Sequence, residues 1–237
     1  MMSQETIAAQ EAHVLDQIPV NFGDGEFLHA KAKKLGEKQM KELQGHLRLA
    51  ETIARPKAMY VPVPVRLAGA DSVDILGHEI KSPIMADNLR GLHRAFVYLT
   101  TCGREMAEWK ASLESAVDRF FADLISESAL HIAGTYLRAH ITRAYHAPRL
   151  ASMNPGSTRG WPIEGQRVIF SILGDARERI GVELRESLFM EPTHSGSGIL
   201  FESEKGYQNC RLCGLENCPN RTAPFDPDAI PPEHHPV

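Results

Sequence analysis

Three cysteines near the end of the chain have the spacing of a metal site. Cys210, Cys213 and Cys218 form a C-x-x-C-x-x-x-x-C-P segment with glycine and asparagine between them. A two-residue spacer lets two thiolates converge on one ion. The chain has four cysteines in all, too few for a disulfide scaffold. We therefore predict a metal centre here, as a knuckle that holds zinc or an iron–sulfur cluster.

The sequence does not identify the fourth ligand of this centre. Both kinds of centre normally take four protein ligands, and only three cysteines are local. Cys102, His194, His234 or His235 could supply it, or an iron could stay open to an exogenous ligand. Of the two centres we favour the iron–sulfur cluster. The alternatives are a loop of reduced cysteines, or a thiol-dependent redox enzyme that uses Cys210 and Cys213.

Two loops of small residues precede the cysteines. The first, Pro155-Gly156-Ser157, is followed by Trp161-Pro162, and its glycine lets the backbone approach a ligand closely. The second, Ser195-Gly196-Ser197-Gly198, offers hydroxyls and amides that suit a carboxylate or an amino-acid moiety. The structural alternative is that each loop is only a turn. No residue pattern in the chain indicates a catalytic nucleophile.

Composition excludes several classes of function. The 237 residues are 43% hydrophobic and 24% charged, with a net charge of −4, which is typical of a globular protein without a nucleic-acid footprint. No window approaches the roughly 18 apolar residues of a membrane helix, and the first ten residues lack the apolar core of a secretion signal. We therefore expect a cytoplasmic protein that binds neither nucleic acid nor membrane.

The helices and strands before residue 145 are interpreted as the scaffold that positions these loops. Periodicity and breakers predict helices over 28–54, from 104 to 124, from 128 to 141, over 163–173 and over 176–180, and strands over 58–67, 73–80, 96–100, 182–190 and 199–201. The two prolines in the first strand place it at a sheet edge. The domain prediction is a body over 1–205, with residues 1–28 as a surface arm, followed by a cysteine-rich segment and proline-rich tail over 206–237.

Residues 145–225 resemble the activation (reactivation) domain of cobalamin-dependent methionine synthase. The run Glu186-Ser187-x-x-Met190-x-Pro192-x-x-Ser195-x-Ser197-Gly198 is similar to that domain's E-S-x-x-M-x-P-x-x-S-x-S-G. Pro155-Gly156 resembles its P-G-Y loop, with Ser157 in place of the tyrosine. The cysteines followed by Arg221, Ala223 and Pro224 resemble the C-terminal segment of the stand-alone bacterial versions.

The resemblance implies an α+β fold with a mixed, mostly antiparallel sheet and packed helices, and it implies binding of S-adenosylmethionine (AdoMet). The family's arginine before the P-G loop falls on Ser152, which leaves Arg149 or Arg159 to pair with the ligand carboxylate. The residues expected to contact AdoMet are Arg149, Pro155, Gly156, Ser157, Glu186, Ser195, Ser197, Gly198, Leu200 and Phe201.

The function implied is reductive activation of a separate corrinoid (cobalamin) protein or methyltransferase. In that family an oxidised cobalamin accepts one electron and then the methyl group of AdoMet. The expected partners are a corrinoid-binding protein that carries the cobalamin, and an electron donor protein. The alternative is a non-enzymatic corrinoid-protein partner in which the zinc or iron–sulfur knuckle is only structural.

Overall fold

The computed structural model describes residues 11–23, 26–33, 35–157, 160–204, 206–213, 215, 218, 221 and 223–226. Its helices within these ranges are α1 (Glu26–Ala32), α2 (Glu37–Ile53), α3 (Pro83–Leu89), α4 (Arg104–Ser112), α5 (Ala116–Tyr145), α6 (Gly165–Leu173), α7 (Ala176–Ile180) and α8 (Asn209–Leu212). Its strands are β1 (His13–Leu15), β2 (Lys57–Pro64), β3 (Arg66–Leu67), β4 (Ser72–Ile75), β5 (His78–Lys81), β6 (Arg94–Thr101), β7 (Leu150–Met153), β8 (Glu183–Leu184), β9 (Met190–Glu191) and β10 (Ser195–Glu202).

A five-stranded sheet in the order β1-β2-β6-β10-β7 forms the centre of the fold. Every strand pair in it is antiparallel. A three-stranded sheet (β3-β4-β5) and the short β8–β9 pair complete the strands that the structure describes. The predicted α+β class with a mostly antiparallel sheet is confirmed.

Alternate residues of the central strands enter two different cores, as the two-residue period of a strand requires. Met59, Val97 and Ile199 lie in one core, which α3, α6 and α7 cover. Tyr60, Phe96 and Leu200 lie in the other core and pack against α5. Both faces of the sheet are thus buried, so the strands read as nearly continuous apolar runs.

Helix α5 connects the sheet to a third core built from α1, α2, α4 and its own first half. The sequence predicted a break in this region near residue 126, but the break lies at 113–115. Ser115 caps α5 by accepting a hydrogen bond from the Asp118 N–H (3.3 Å). Ser128 stays inside the helix because its hydroxyl donates to the Leu124 carbonyl (3.0 Å).

Two further predictions are corrected by the structure. The helix predicted over 28–54 is two helices, α1 and α2, separated near Gly36. Strand β2 is not an edge strand, because it lies between β1 and β6. Its prolines are tolerated because β1 covers only residues 58–60, so Pro62 and Pro64 occupy the part of β2 with one neighbour.

Residues 1–28, the predicted surface arm, include β1, which adds a strand to the main sheet, and part of α1. At the other end, Leu212 is 7% exposed and belongs to the core beneath α6. The cysteine segment therefore packs on the body through at least one buried side chain. Over the described ranges, no helix is long and apolar enough to cross a membrane.

Candidate functional site

Strand β10 carries the S-G-S-G motif and lies between β6 and β7. The sequence placed Ser195–Gly198 in a loop, whereas the structure places all four residues in the strand. Gly198 is needed for close approach: a Cβ there would lie 2.5 Å from the Met153 carbonyl oxygen and 2.6 Å from the Asn154 Nδ2. The glycine thus lets β7 and the residue after it reach β10.

Asn154, which directly follows β7, uses both amide donors to hold the sheet. Its Nδ2 donates to the Ser197 carbonyl (2.6 Å) and to the Tyr98 hydroxyl (2.8 Å). Its Oδ1 accepts a hydrogen bond from the Asn209 Nδ2 (2.6 Å). One side chain therefore connects the S-G-S-G strand, the P-G turn and the cysteine segment, although sequence reasoning gave it no role.

The P-G loop is a tight turn after β7. Gly156 has φ of 78°, a left-handed conformation that favours glycine, and its N–H donates to the Trp161 carbonyl (2.8 Å). Pro155 is buried, Gly156 is exposed and Ser157 is half-buried. Gly156 is therefore the exposed residue of this turn, while the N–H groups of Gly156 and Ser157 are both used in bonds within it.

A cavity of about 480 Å³ opens along β7, the edge strand of the sheet. Leu150, Ala151 and Ser152 form its floor, and residues 206–210 form a wall. It lies beside the two predicted sites, because its wall residue Asn209 bonds to Asn154 and Cys210 is part of its lining. This volume falls within the range of small-molecule sites.

Two arginines give the cavity a positive end. Arg149, the predicted partner of the ligand carboxylate, lines it and precedes β7. Arg138 of α5 also lines it, and its Nη1 donates to the Leu150 carbonyl (3.0 Å). Glu204 is the acidic residue in the described lining. Two guanidinium groups beside one carboxylate suit a carboxylate or another anion, which each can bind in a bidentate manner.

The charge of Arg138 also affects the pKa of the buried Tyr98. Burial raises the pKa of Tyr98, while the charge of Arg138 and the hydrogen bond from Asn154 lower it. Because burial is the largest of these effects, the phenol stays protonated and accepts the Asn154 hydrogen bond as a neutral group. Arg138 was missed in the sequence because it looks like an ordinary helix-surface arginine.

Arg149 is the one predicted ligand residue in the described lining of this cavity, and none of the other nine lines it. Ser195 closes a turn by donating to the Pro192 carbonyl (2.7 Å). Ser197 is buried and holds Asn154 through its carbonyl. Glu186 lies in the exposed turn between β8 and β9. The structure thus brings Arg149 and the cysteine segment together, and it places Glu186 on a separate hairpin.

Leu200 and Phe201 were also predicted to contact ligand. Each is 1% exposed, and they lie in the cores on opposite faces of the sheet. Their side chains therefore support the β10–β7 pair from the interior rather than forming the cavity surface.

The backbones of all three C-terminal cysteines gather around Arg221. Its guanidinium donates to the carbonyls of Cys210 (2.8 Å) and Cys213 (2.9 Å), and its N–H donates to the carbonyl of Cys218 (3.2 Å). The same side chain also reaches the Leu215 and Ala223 carbonyls. Arg221 thus connects the backbone of the three cysteines by hydrogen bonds.

The side chains of these three cysteines do not form a set of metal ligands in this structure. Each of the three thiols is half-buried, and none is in a disulfide. Over the described part of the chain, no group of three or more His, Cys, Asp or Glu side chains is placed to hold a metal ion. The metal centre therefore stays a prediction, and His234 and His235 lie outside the described residues.

Cys102 and His194, two candidates for the fourth ligand, lie in a different place. Both line a second cavity of about 360 Å³ beside α4 and α5. Cys102 is 1% exposed, and burial raises the pKa of its thiol to about 12. Burial likewise lowers the pKa of His194, with Asp123 opposing the shift. Cys210 instead lines the cavity along β7.

The structure is an α+β domain with a cavity at the side of an antiparallel sheet. A solved structure, the MetH reactivation domain bound to AdoHcy, has this fold: the TM-score is 0.63 over 85% of this chain and 81% of that chain, at 14% sequence identity. No protein-family model matches the chain, and no curated protein sequence matches it. The predicted likeness to the reactivation domain is confirmed at the level of fold.

Proposed function

We propose that this protein binds AdoMet in the cavity along β7 and serves the reductive activation of a separate corrinoid protein. The observation that carries the proposal is the pair of arginines, Arg138 and Arg149, in the lining of the cavity along β7. The P-G turn and the S-G-S-G strand are connected to this cavity through Asn154, which bonds to the lining residue Asn209 and to the Ser197 carbonyl. Supporting it, the solved reactivation domain of the same fold has AdoHcy bound.

In this proposal the amino-acid part of AdoMet lies at the positive end of the cavity. Arg149 and Arg138 pair with its carboxylate, and residues 206–210, which line the same cavity, contact the rest of the ligand. The chain supplies orientation, because placing the sulfonium methyl toward the partner's reduced cobalamin makes the transfer effectively unimolecular. AdoMet and the cobalamin supply the chemistry.

The cysteine segment is proposed to hold an iron–sulfur cluster or a zinc ion through Cys210, Cys213 and Cys218. The Arg221 hydrogen bonds to the three cysteine backbones support it. An iron–sulfur cluster would supply electron transfer between a donor protein and the corrinoid partner. A zinc ion would leave the segment with a structural role.

Calorimetric titration of AdoMet and AdoHcy into the full chain tests the proposal. We expect binding by the wild type and a loss of roughly tenfold or more in affinity for Arg149→Gln, because a hydrogen bond to a charged group contributes about 1.5–3 kcal/mol. Arg143→Gln is the matched control, since Arg143 is an exposed arginine of α5 outside the cavity lining. Equal losses in both variants would remove the carboxylate site from this cavity.

A second function, a non-enzymatic corrinoid-protein partner, is favoured by one observation. Leu212, between two of the cysteines, is buried in the body, and Arg221 donates hydrogen bonds to the carbonyls of Cys210 and Cys213. These contacts would suit a segment whose role is only structural. This alternative predicts no heat on titration of AdoMet, together with measurable binding to a corrinoid protein. Failure of AdoMet to bind at millimolar concentration would favour this non-enzymatic function over the first proposal.

A further inference from the structure

The second cavity, beside α4 and α5, has no part in the proposed function. Its volume is about 360 Å³, which lies within the range of small-molecule sites. The strand ends that border it are held together, because the Cys102 N–H donates to the His194 carbonyl (3.0 Å). On α5, Ser126 of this cavity and Arg138 of the cavity along β7 are about 18 Å apart along the helix axis. The two cavities are therefore separate sites.

Ser126 gives this cavity a buried hydroxyl that has no hydrogen-bond partner within the described part of the chain. The residue is 1% exposed and lines the cavity. Ser128, two residues later in the same helix, donates to the Leu124 carbonyl (3.0 Å). The helix can thus satisfy a serine hydroxyl but does not satisfy this one. Because a buried hydroxyl without a partner costs free energy, the Ser126 hydroxyl indicates a ligand that supplies the partner.

The charged side chains of the described lining are all basic. Lys110 and Arg119 line the cavity, and no acidic residue is among the described lining residues. The Arg119 Nε donates to the Leu113 carbonyl (2.7 Å), which holds the guanidinium in place while its two Nη groups have no bonded acceptor in the described ranges. Asp123 accepts a hydrogen bond from Lys110 (2.5 Å) and compensates that charge, so Arg119 supplies the net positive charge.

The remaining lining adds neutral donors and a small apolar surface. Burial lowers the pKa of His194, with Asp123 opposing the shift, so the ring is neutral at pH 7 and donates from one nitrogen. Thr193 adds an exposed hydroxyl. The other lining residues are small or apolar: Cys102, Ala107, Ala111 and Pro192. The set of hydroxyls, ammonium and guanidinium suits the oxygens of a phosphate, and the apolar residues suit a short carbon skeleton.

We propose that this cavity binds a small phosphomonoester. Its phosphate oxygens accept hydrogen bonds from Ser126, Lys110 and Arg119, and its carbon skeleton contacts the apolar part of the lining. Lys110 can take part because an ammonium has three donors and Asp123 uses one of them. A phosphate offers more oxygens than a planar carboxylate, so it can meet donors from both α4 and α5. This inference does not depend on the proposed function.

Calorimetric titration of the full chain with three probes tests the class of ligand. The probes are glycerol 3-phosphate, inorganic phosphate and glycerate, which has a three-carbon skeleton with a carboxylate in place of the phosphate. We expect glycerol 3-phosphate to bind about tenfold more tightly than glycerate, and more tightly than inorganic phosphate. Equal affinity for glycerate would overturn the phosphate assignment, and binding of inorganic phosphate alone would overturn the ester.

Ser126→Ala is the decisive variant, and Ser128→Ala in the same helix is its matched control. We expect Ser126→Ala to weaken glycerol 3-phosphate binding roughly fivefold or more without lowering the melting temperature of the free protein, because the lost hydroxyl has no protein partner. Ser128→Ala should lower the melting temperature and keep the affinity, since its hydroxyl bonds to the helix. If the two variants behave alike, the ligand role of Ser126 is wrong.

Arg119→Gln tests the charge, with Arg143→Gln as the control because Arg143 is an exposed arginine of the same helix outside this cavity. We expect a loss of roughly tenfold for Arg119→Gln and no change for Arg143→Gln. Equal losses would mean that binding follows net charge alone, which would overturn the site. If no phosphate compound binds at millimolar concentration, this inference fails, while AdoMet titrated into the same samples still tests the cavity along β7.

Discussion

Replacing Gly198 with alanine tests whether close contact between β10 and β7 builds the floor of the cavity. The new methyl group would lie 2.5 Å from the Met153 carbonyl oxygen and 2.6 Å from the Asn154 Nδ2. At Gly198 strand β10 pairs with Tyr98 of β6, and its pairing with β7 begins at the next residue, Ile199, so relief requires β7 and Asn154 to move outward. The variant therefore perturbs packing and the Asn154 hydrogen bonds together.

The expected cost follows from these two effects. Overpacking of a close-packed interior costs about 1–3 kcal/mol, and displacing one hydrogen bond of Asn154 adds about 1 kcal/mol. The free energy of unfolding should therefore fall by about 2–4 kcal/mol, which for a chain of this size lowers the melting temperature by roughly 5–15 °C. AdoMet affinity should fall as well, because the cavity floor shifts.

Gly196→Ala is the matched control in the same strand. A Cβ at Gly196 would meet only the Thr100 Oγ1 at 3.1 Å, a side-chain hydroxyl that can give way. We expect a loss under about 1 kcal/mol and unchanged AdoMet binding. Urea and thermal unfolding measure both variants. If Gly198→Ala is no more destabilising than Gly196→Ala, the account of this contact is wrong.

Three further predictions concern the titratable groups and the cysteine segment. Cys102 should resist iodoacetamide at pH 8 in folded protein treated with a chelator, because burial raises the pKa of its thiol to about 12. Peptide mass spectrometry should find it unmodified while the half-buried Cys213 reacts. Burial lowers the pKa of His194, so the unfolded chain takes up more protons as pH falls through about 6.5. Urea unfolding should therefore show lower stability at pH 5.5 than at pH 7, with a smaller loss in His194→Asn. Arg221→Lys should weaken zinc binding roughly tenfold in an indicator competition, because lysine lacks the planar fork, whereas Arg211→Lys should not.

Sequence reasoning succeeded where a residue pattern has one structural meaning. The apolar run in β6 could only be a buried strand, and Gly103 after it marked the start of α4, where a Cβ would lie 2.5 Å from the Arg55 carbonyl oxygen. It failed where a residue has more than one local use. Ser128 read as the start of a new helix, but it lies inside α5, where its hydroxyl donates to the Leu124 carbonyl.

The candidate site was harder to predict because its residues come from distant parts of the chain. Arg149 and Cys210 were found from spacing and resemblance, whereas Arg138 and Asn154 carry no local pattern. Asn154 bonds to Tyr98 and Asn209, which are 56 and 55 residues away along the chain. Only the pairing of β10 with both β6 and β7 brings these groups together, and single-sequence reasoning did not reach that pairing.

The position of the cavity follows from the position of β7 in the sheet. As an edge strand, β7 has backbone groups on one side that no strand of the described residues pairs with. Arg138 satisfies one of them by donating to the Leu150 carbonyl, and residues 206–210 pass alongside without forming a further strand. A polar ligand placed between them can bind the remaining backbone groups and the two arginines at once. The same short segment leads directly into the cysteines, so any ligand at this edge contacts the chain that the predicted metal centre would hold.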